Sequence, residues 1–363
     1  MNASADMDIG LPRVAQRGRA LINFQAGLAL AAGTMRRLAE RELADQGITA
    51  ETLPQSMDAI HETIETALAG SDAYRIYHFL AEWRAREHGP ACYEAFEEIA
   101  DEVVPALRAL EEGPATLQEN PGLELPKWYS EVWFHRTAGG WDASEFNGYV
   151  HGELIHKQLL TKIFPDGIFA QRLAVACALP ETSYRRILDM GASSGHYTLA
   201  LARSHPQAQI TGVDYSLRML QHARRVANAN GYSWRLKVAG AECTGLDDES
   251  FDLVTSFIVL HELPPRIIVD VFAEAFRLLA PGGDMVMADV PRYADIDRMA
   301  QWRYDIVAKW GGEPYWRASA SADLQQLAKD AGFTGVRAAG LGLAPHGHPY
   351  VLYARKPARA GVH

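Results

Sequence analysis

The sequence predicts a chain in two parts, an all-helical N-terminal region followed by an open α/β fold built on a mostly parallel sheet. Three observations carry this. From about residue 186, short apolar runs alternate with amphipathic helical patterns, as helices crossing over a parallel sheet require. The first run, Ile187-Leu188-Asp189-Met190, ends in the turn Gly191-Ala192-Ser193-Ser194-Gly195, and a helical pattern follows at once. Ahead of residue 115, by contrast, apolar residues recur at helical spacing and no strand alternation stands out.

In chain order, Leu21, Phe24 and Leu28, then Tyr74, Tyr77, Leu80 and Trp83, mark helical faces, with Pro54, Gly70 and Gly89-Pro90 as punctuation. Gly113 to Pro126 carries three prolines and reads as a linker. Residues 127–151 are dense in aromatics and histidines, among them His135 and His151. Helices are expected over 153–164 and 169–179. Strands are expected near 186–190, 209–214, 234–238, 252–258 and 284–290, with Pro265 opening the last crossover helix. Residues 291–320 form an insertion rich in Trp and Tyr. A helix over 321–331 then precedes two strands, near 334–343 and 349–356, which pair as an antiparallel edge.

The turn after the first strand selects among cofactors. Ligands of open parallel sheets bind beyond the carboxyl ends of the strands. A dinucleotide fingerprint needs glycine at 193 and 196, where the chain has Ser193 and His196, and no Gly-Lys-Ser/Thr closes a P-loop. The second strand ends in Asp214, an acid placed to accept ribose hydroxyls.

Asp189-x-Gly191-x-x-x-Gly195 resembles the first motif of class I S-adenosylmethionine-dependent methyltransferases. Val213-Asp214-Tyr215-Ser216, Ala241-Glu242, Asp248 to Val254, Val259 to Leu263, Pro281-Gly282-Gly283 and Asp330-Ala331-Gly332-Phe333 resemble the family's later motifs in the same order. The resemblance covers roughly residues 165 to 357. It implies a Rossmann-like methyltransferase fold, a mostly parallel seven-stranded sheet with an antiparallel edge hairpin, preceded here by an all-α N-terminal domain. It also implies S-adenosyl-L-methionine as cofactor. Gly191 and Gly195 would let the backbone approach it, Asp189 would face its amino group, Asp214 and Tyr215 would hold the ribose side, and Ala241 and Glu242 would meet the adenine edge. The chain departs from the family at Ser193, where many relatives have glycine, and at Gly240, where many have Asp.

Methyl transfer to a hydroxyl needs a base, whereas a thioether does not. His261 lies just past the fourth strand of the motif set. The corresponding His of plant-type O-methyltransferases acts as base, while in other relatives the position shapes the pocket. Tyr129, Trp133, Trp141, Phe146 and Tyr149 either wall a pocket around the cationic methyl or pack the helical domain onto the sheet. Arg136 is placed to clamp a substrate carboxylate. Arg303 and Tyr304 of the insertion are further substrate candidates. His346 and His348 lack a third ligand nearby, and Thr255-Ser256-Phe257 offers no acids at the fourth-strand tip, so no metal is expected.

The expected organisation is therefore a helical dimerisation or lid domain over 1–118, a linker and aromatic substrate lid over 119–164, and the cofactor-binding domain over 165–363. With 48% apolar residues the chain can bury a large core, and a net charge of −10 argues against a nucleic-acid partner. Three widely spaced cysteines form neither a disulfide framework nor a zinc pattern, which fits the cytoplasm, and no apolar run is long enough to span a bilayer. The predicted protein is a cytoplasmic homodimer that O- or S-methylates a small molecule. Its overall plan also resembles bacterial S-methyltransferases of 4-methylthio-2-hydroxybutyrate in dimethylsulfoniopropionate synthesis. A non-catalytic S-adenosylmethionine-binding protein is the alternative from another class.

Overall fold

The computed structural model describes residues 9–164, 168–343 and 348–359. One sheet of eight strands organises the C-terminal two thirds: β1 (Thr116–Gln118), β2 (Arg186–Met190), β3 (Gln209–Asp214), β4 (Arg235–Val238), β5 (Phe251–Phe257), β6 (Leu279–Asp289), β7 (Thr334–Leu343) and β8 (His348–Arg355). Their order is β1-β4-β3-β2-β5-β6-β8-β7. Strands β1 to β6 pair in parallel, while β8 runs antiparallel to β6 and β7 antiparallel to β8.

Seven of these strands are the expected ones. The eighth, β1, lies in the proline-rich stretch read as a linker. It pairs with β4 through Thr116↔Arg235 to Gln118↔Lys237, so the chain enters the sheet earlier than its composition signals. Strand β6 also starts five residues early, because Pro281-Gly282-Gly283 is absorbed as a bulge against β5 instead of ending the preceding helix.

Alternation along the strands divides the core in two. Ile187, Val286 and Ala288 bury themselves on one face of the sheet, and Leu188, Met285 and Met287 on the other. Covering both faces is what a parallel sheet demands. The connections leave β2 toward β3 on one side and return to β5 on the other, so the loops after β2 and β5 diverge and open a crevice between them.

The N-terminal region is helical: α1 (Gln16–Asp45), α2 (Met57–Ala67), α3 (Asp72–Glu97) and α4 (Ala100–Ala109). Ser56 and Ser71 cap α2 and α3 by accepting the Ala59 and Tyr74 amides. Leu43, Ile60, Ile64 and Tyr77 of these helices share a cluster with Met299, Trp302, Ile306 and Trp310 of helix Arg298–Gly311, which belongs to the insertion. A second cluster joins Ile22, Phe96 and Val103 to Tyr149, Val150 and Leu154. Among the described residues no helix is long and apolar enough to cross a membrane.

Candidate active site

A cavity of about 380 Å³ sits at the carboxyl ends of β2, β3 and β5. Gly191 and Ser193 reach it from the turn after β2, Asp214 and Tyr215 from the end of β3, Ala241 and Glu242 from the loop after β4, and Ile258 to Leu263 in part from the loop after β5. Trp128, Tyr129 and Trp141 close it from the segment ahead of the sheet, and Tyr304 and Trp316 from the insertion.

The turn geometry explains the residues chosen. Gly191 has φ +73°, and a Cβ there would lie 2.5 Å from Val259 Cγ2. Ser193 adopts φ +47°, the left-handed conformation that favours glycine. Its amide donates to Asp214 Oδ2 at 2.9 Å, and Ser216 N–H donates to Asp214 Oδ1 at 2.9 Å. Burial pushes the Asp214 carboxyl up to about 7, against those two hydrogen bonds. The Gly240 departure has a steric cause. A Cβ there would lie 2.4 Å from the Tyr215 hydroxyl, which donates to Glu242 Oε1 at 2.6 Å.

The donor set fits an adenosyl ligand. Asp189 is buried, accepts from Thr198 Oγ1 at 2.6 Å and leaves Oδ1 without a hydrogen-bond partner. Glu242 Oε2 and the Tyr129 hydroxyl are likewise buried and unsatisfied. Buried polar atoms of native proteins are almost always paired. Carboxylates lacking donors beside a glycine turn suit a ligand rich in hydroxyl and amino groups.

His261 lies on the short turn Leu260–Glu262 and lines the cavity. Its Nδ1 is 2.8 Å from Asp289 Oδ1, at the end of β6. Asp289 also accepts the amides of Val259 (2.8 Å), Leu260 (2.6 Å) and Val290 (2.7 Å), which fixes the turn to the strand. Burial alone would lower His261, but the Asp289 carboxylate outweighs it and raises the imidazole to about 9. Nε2 takes no hydrogen bond from any described residue. The ring stands edge-on to Trp316 at 4.8 Å.

Of the remaining sequence candidates, Tyr129, Trp141 and Tyr304 line the cavity with His261. Tyr304 stacks on Trp316 at 6.0 Å. The others lie elsewhere. Gly195 (φ +85°) serves helix packing, since a Cβ there would meet Ala223 Cα at 2.9 Å. Arg136 donates through Nε to the Trp310 carbonyl and lines a separate groove with Trp133. Phe146 and Tyr149 pack on Phe96 of α3, at 5.5 and 5.6 Å. Arg303 pairs with Glu40 of α1 at 2.8 Å. His348 lines the cavity, and His346 falls outside the described residues.

Several lining residues were given no role from sequence. His135, at φ +51°, is clamped between Glu262 (Nε2 to Oε1, 3.1 Å) and Glu313 (Nδ1 to Oε1, 2.6 Å). Burial would lower it, but the two carboxylates hold it well above the ordinary histidine value. Each ring nitrogen thus faces a different glutamate, and both carboxylates favour the charged ring. A second convergence, Glu153 with His196 (3.1 Å) and His222 (3.4 Å), is buried. It is tied off by Lys157 on Glu153 at 3.0 Å and by Ser194 beside His196 Nδ1 at 3.1 Å. His151, His156, Gln171 and Arg172 complete the wall.

Residues 187–283 match the family model described as a methyltransferase domain. The chain carries a class I S-adenosylmethionine-dependent methyltransferase domain. It is similar to the arsenite methyltransferase of Aquipseudomonas alcaligenes, with 29% identity over 56% of this chain and 58% of that protein. It is also similar to the demethylmenaquinone methyltransferase of Thermus thermophilus, with 35% identity over 33% of this chain and 54% of that protein. The chain thus spans about half the length of the curated relatives it matches. Among solved structures, a phosphoethanolamine N-methyltransferase 2 of Haemonchus contortus aligns at 16% identity and TM-score 0.44, covering 60% of this chain and 61% of that one.

Proposed function

We propose that the chain transfers the methyl group of S-adenosylmethionine to a hydroxyl of a small-molecule acceptor, with His261 as the base. The observation that carries this reading is the buried His261–Asp289 pair, whose Nδ1 is committed to the carboxylate at 2.8 Å while the ring lines the cavity. A carboxylate on Nδ1 fixes the tautomer that leaves Nε2 as the proton acceptor. Bound here, the cofactor supplies an electrophilic methyl on a sulfonium.

The chain's own residues supply the rest. Asp214 accepts ribose hydroxyls, Glu242 with the Ala241 backbone meets the adenine edge, and the Gly191 turn allows close approach. Tyr129, Trp128 and Trp141 exclude water and present ring faces to developing positive charge. As the acceptor oxygen bonds to the methyl carbon and the sulfur–carbon bond breaks, the hydroxyl proton passes to His261 Nε2, and Asp289 balances the imidazolium. S-methylation would need no base. Its proposed carboxylate clamp, Arg136, is engaged with Trp310 outside the cavity lining.

The test is transfer of labelled methyl from S-adenosylmethionine into small-molecule extract, with Asp214→Ala as control. His261→Ala should slow transfer by about 10²–10⁴-fold while the cofactor still binds. Near-normal transfer by His261→Ala would remove the base, and label found only in macromolecules would remove the acceptor class.

A further inference from the structure

We propose that the outer face of α1 and α3 is a dimerisation surface, and that a second copy of this chain covers it. The proposal stands apart from the methyl-transfer reading, because the opposite side of these helices packs on the insertion that walls the cavity.

The inner stripe of α1, Ile22, Ala26, Ala32, Ala39 and Leu43, is buried within the chain. On the other side Ala20, Phe24, Gly27, Ala31, Thr34 and Leu38 are all exposed. They alternate at spacings of four and three, the repeat of a helix that meets another along a seam. From Ala20 to Met35 the helix carries no charged residue on any side. A helix without a charged face is one covered on both sides, and this chain covers only one.

Ile76, Phe79 and Trp83 continue the face on α3 at spacings of three and four, and Phe79 is 66% exposed. Phe24 meets Trp83 edge-on at 6.1 Å, which joins the two stripes into one surface. Six of the eleven exposed large apolar side chains among the described residues lie on these two helices, so the patch is concentrated and not scattered. Those six expose roughly 600 Å², against about 800 Å² per partner in a standard interface.

Gly27 points to what covers the patch. Glycine is destabilising in mid-helix, yet a Cβ at Gly27 would meet nothing within 4 Å. Gly18 of the same helix, by contrast, is pressed by Ala95, where a Cβ would lie 2.7 Å from its Cβ. Nothing inside the chain calls for a small residue at Gly27, whereas an approaching side chain does. The Arg17–Glu94 and Phe24–Trp83 contacts set α1 antiparallel to α3. At about 1.5 Å per residue, Gly27 and Ala31 then stand level with Phe79 and Ile76. A two-fold axis along the helices preserves height, so Gly27 and Ala31 of one copy receive the partner's Phe79 and Ile76. The exchange repeats in reverse, as an isologous interface requires. The charges beside the stripe are balanced within each chain, Arg75 on Asp72 and Arg86 on Glu82, so two identical faces meet without net repulsion.

The experiment is sedimentation of the full chain across micromolar concentrations, with a cooperative thermal transition as the folding control. The unaltered protein should sediment at twice the mass of one chain. Phe79→Glu and Gly27→Glu should each weaken dimerisation by about 100-fold or more and sediment as folded monomers. If Phe79→Glu does not fold, Gly27→Glu decides, because its side chain has open room in the single chain. A monomeric unaltered protein would overturn the proposal, as would a dimer that both variants leave intact. A monomer that floats with phosphatidylcholine vesicles would assign the face to a lipid surface and overturn it equally.

Discussion

Replacing Asp289 with asparagine tests the proposed base at its support. The carboxylate lifts His261 from its ordinary 6.5 to about 9 against the pull of burial. At 1.36 kcal/mol per pKa unit, that is a preference for the imidazolium on the order of 3 kcal/mol. In the unaltered protein about one His261 in a hundred is neutral at pH 7, so kcat/KM should rise about tenfold per pH unit and level near pH 9. Asp289→Asn removes the charge and leaves the burial, so the inflection should drop below 6.5. With the new side-chain oxygen kept on the Val259 and Leu260 amides, its amino group would face Nδ1. That places the ring proton on Nε2, where it cannot accept the acceptor's proton. The plateau should fall by about 10²–10⁴-fold, and the gap to the unaltered protein should widen with pH. Stability follows the same linkage. A folded pKa above the unfolded one stabilises fully below about 6.5, and this contribution is lost as pH rises through about 9. The unaltered protein should therefore lose melting temperature between pH 7 and 10, and Asp289→Asn should lose less. The assays are labelled-methyl transfer and thermal denaturation across pH 6–10, with S-adenosylhomocysteine affinity as the folding control. An Asp289→Asn variant that binds cofactor and still inflects near pH 9 would refute the dyad.

Asp214→Ala should cut S-adenosylmethionine affinity by about tenfold or more, read by calorimetry, since hydrogen bonds to charged groups contribute about 1.5–3 kcal/mol. Gly240→Asp should abolish the Tyr215–Glu242 hydrogen bond and weaken cofactor binding, because the new Cβ would meet the Tyr215 hydroxyl at 2.4 Å; unchanged affinity would count against an adenine role for Glu242. Trp302→Ala should cost about 3–5 kcal/mol in denaturant unfolding, since the side chain is fully buried between Tyr74 and Tyr77.

What the sequence made legible was local in the chain. Strands β2 and β3 end where their apolar runs end, and the turn that follows places Gly191 and Asp214 together. What it hid depended on distance or on unusual winding. Asp289 lies 28 residues from His261, and only the pairing of β5 with β6 brings it there. Arg172 on a helix reads as a solvated charge until Phe169 and Phe257 enclose it. His151 and His156 share a face only in a π-helix, which has no composition signature. The aromatic segment was ambiguous for a physical reason, because a cavity wall and a buried interface both call for large rings. Trp141 serves the first, and Phe146 and Tyr149 serve the second.

The insertion resolves the same ambiguity within one helix. Met299, Trp302, Ile306 and Trp310 recur at spacings of three and four and bury one stripe of helix Arg298–Gly311 against α1 to α3. Tyr304 and Val307 fall on another face and line the cavity. Between them Asp305 joins four elements, accepting from Tyr293 at 2.9 Å and from Arg317 at 2.6 and 2.8 Å, with His61 Nε2 of α2 at 2.8 Å. A helix gripped on one side by the N-terminal layer therefore forms part of the cavity wall on the other. The helical region is thus tied directly to the cavity, because any shift of α2 or α3 must move either Trp302 within a close-packed core or the wall that carries Tyr304.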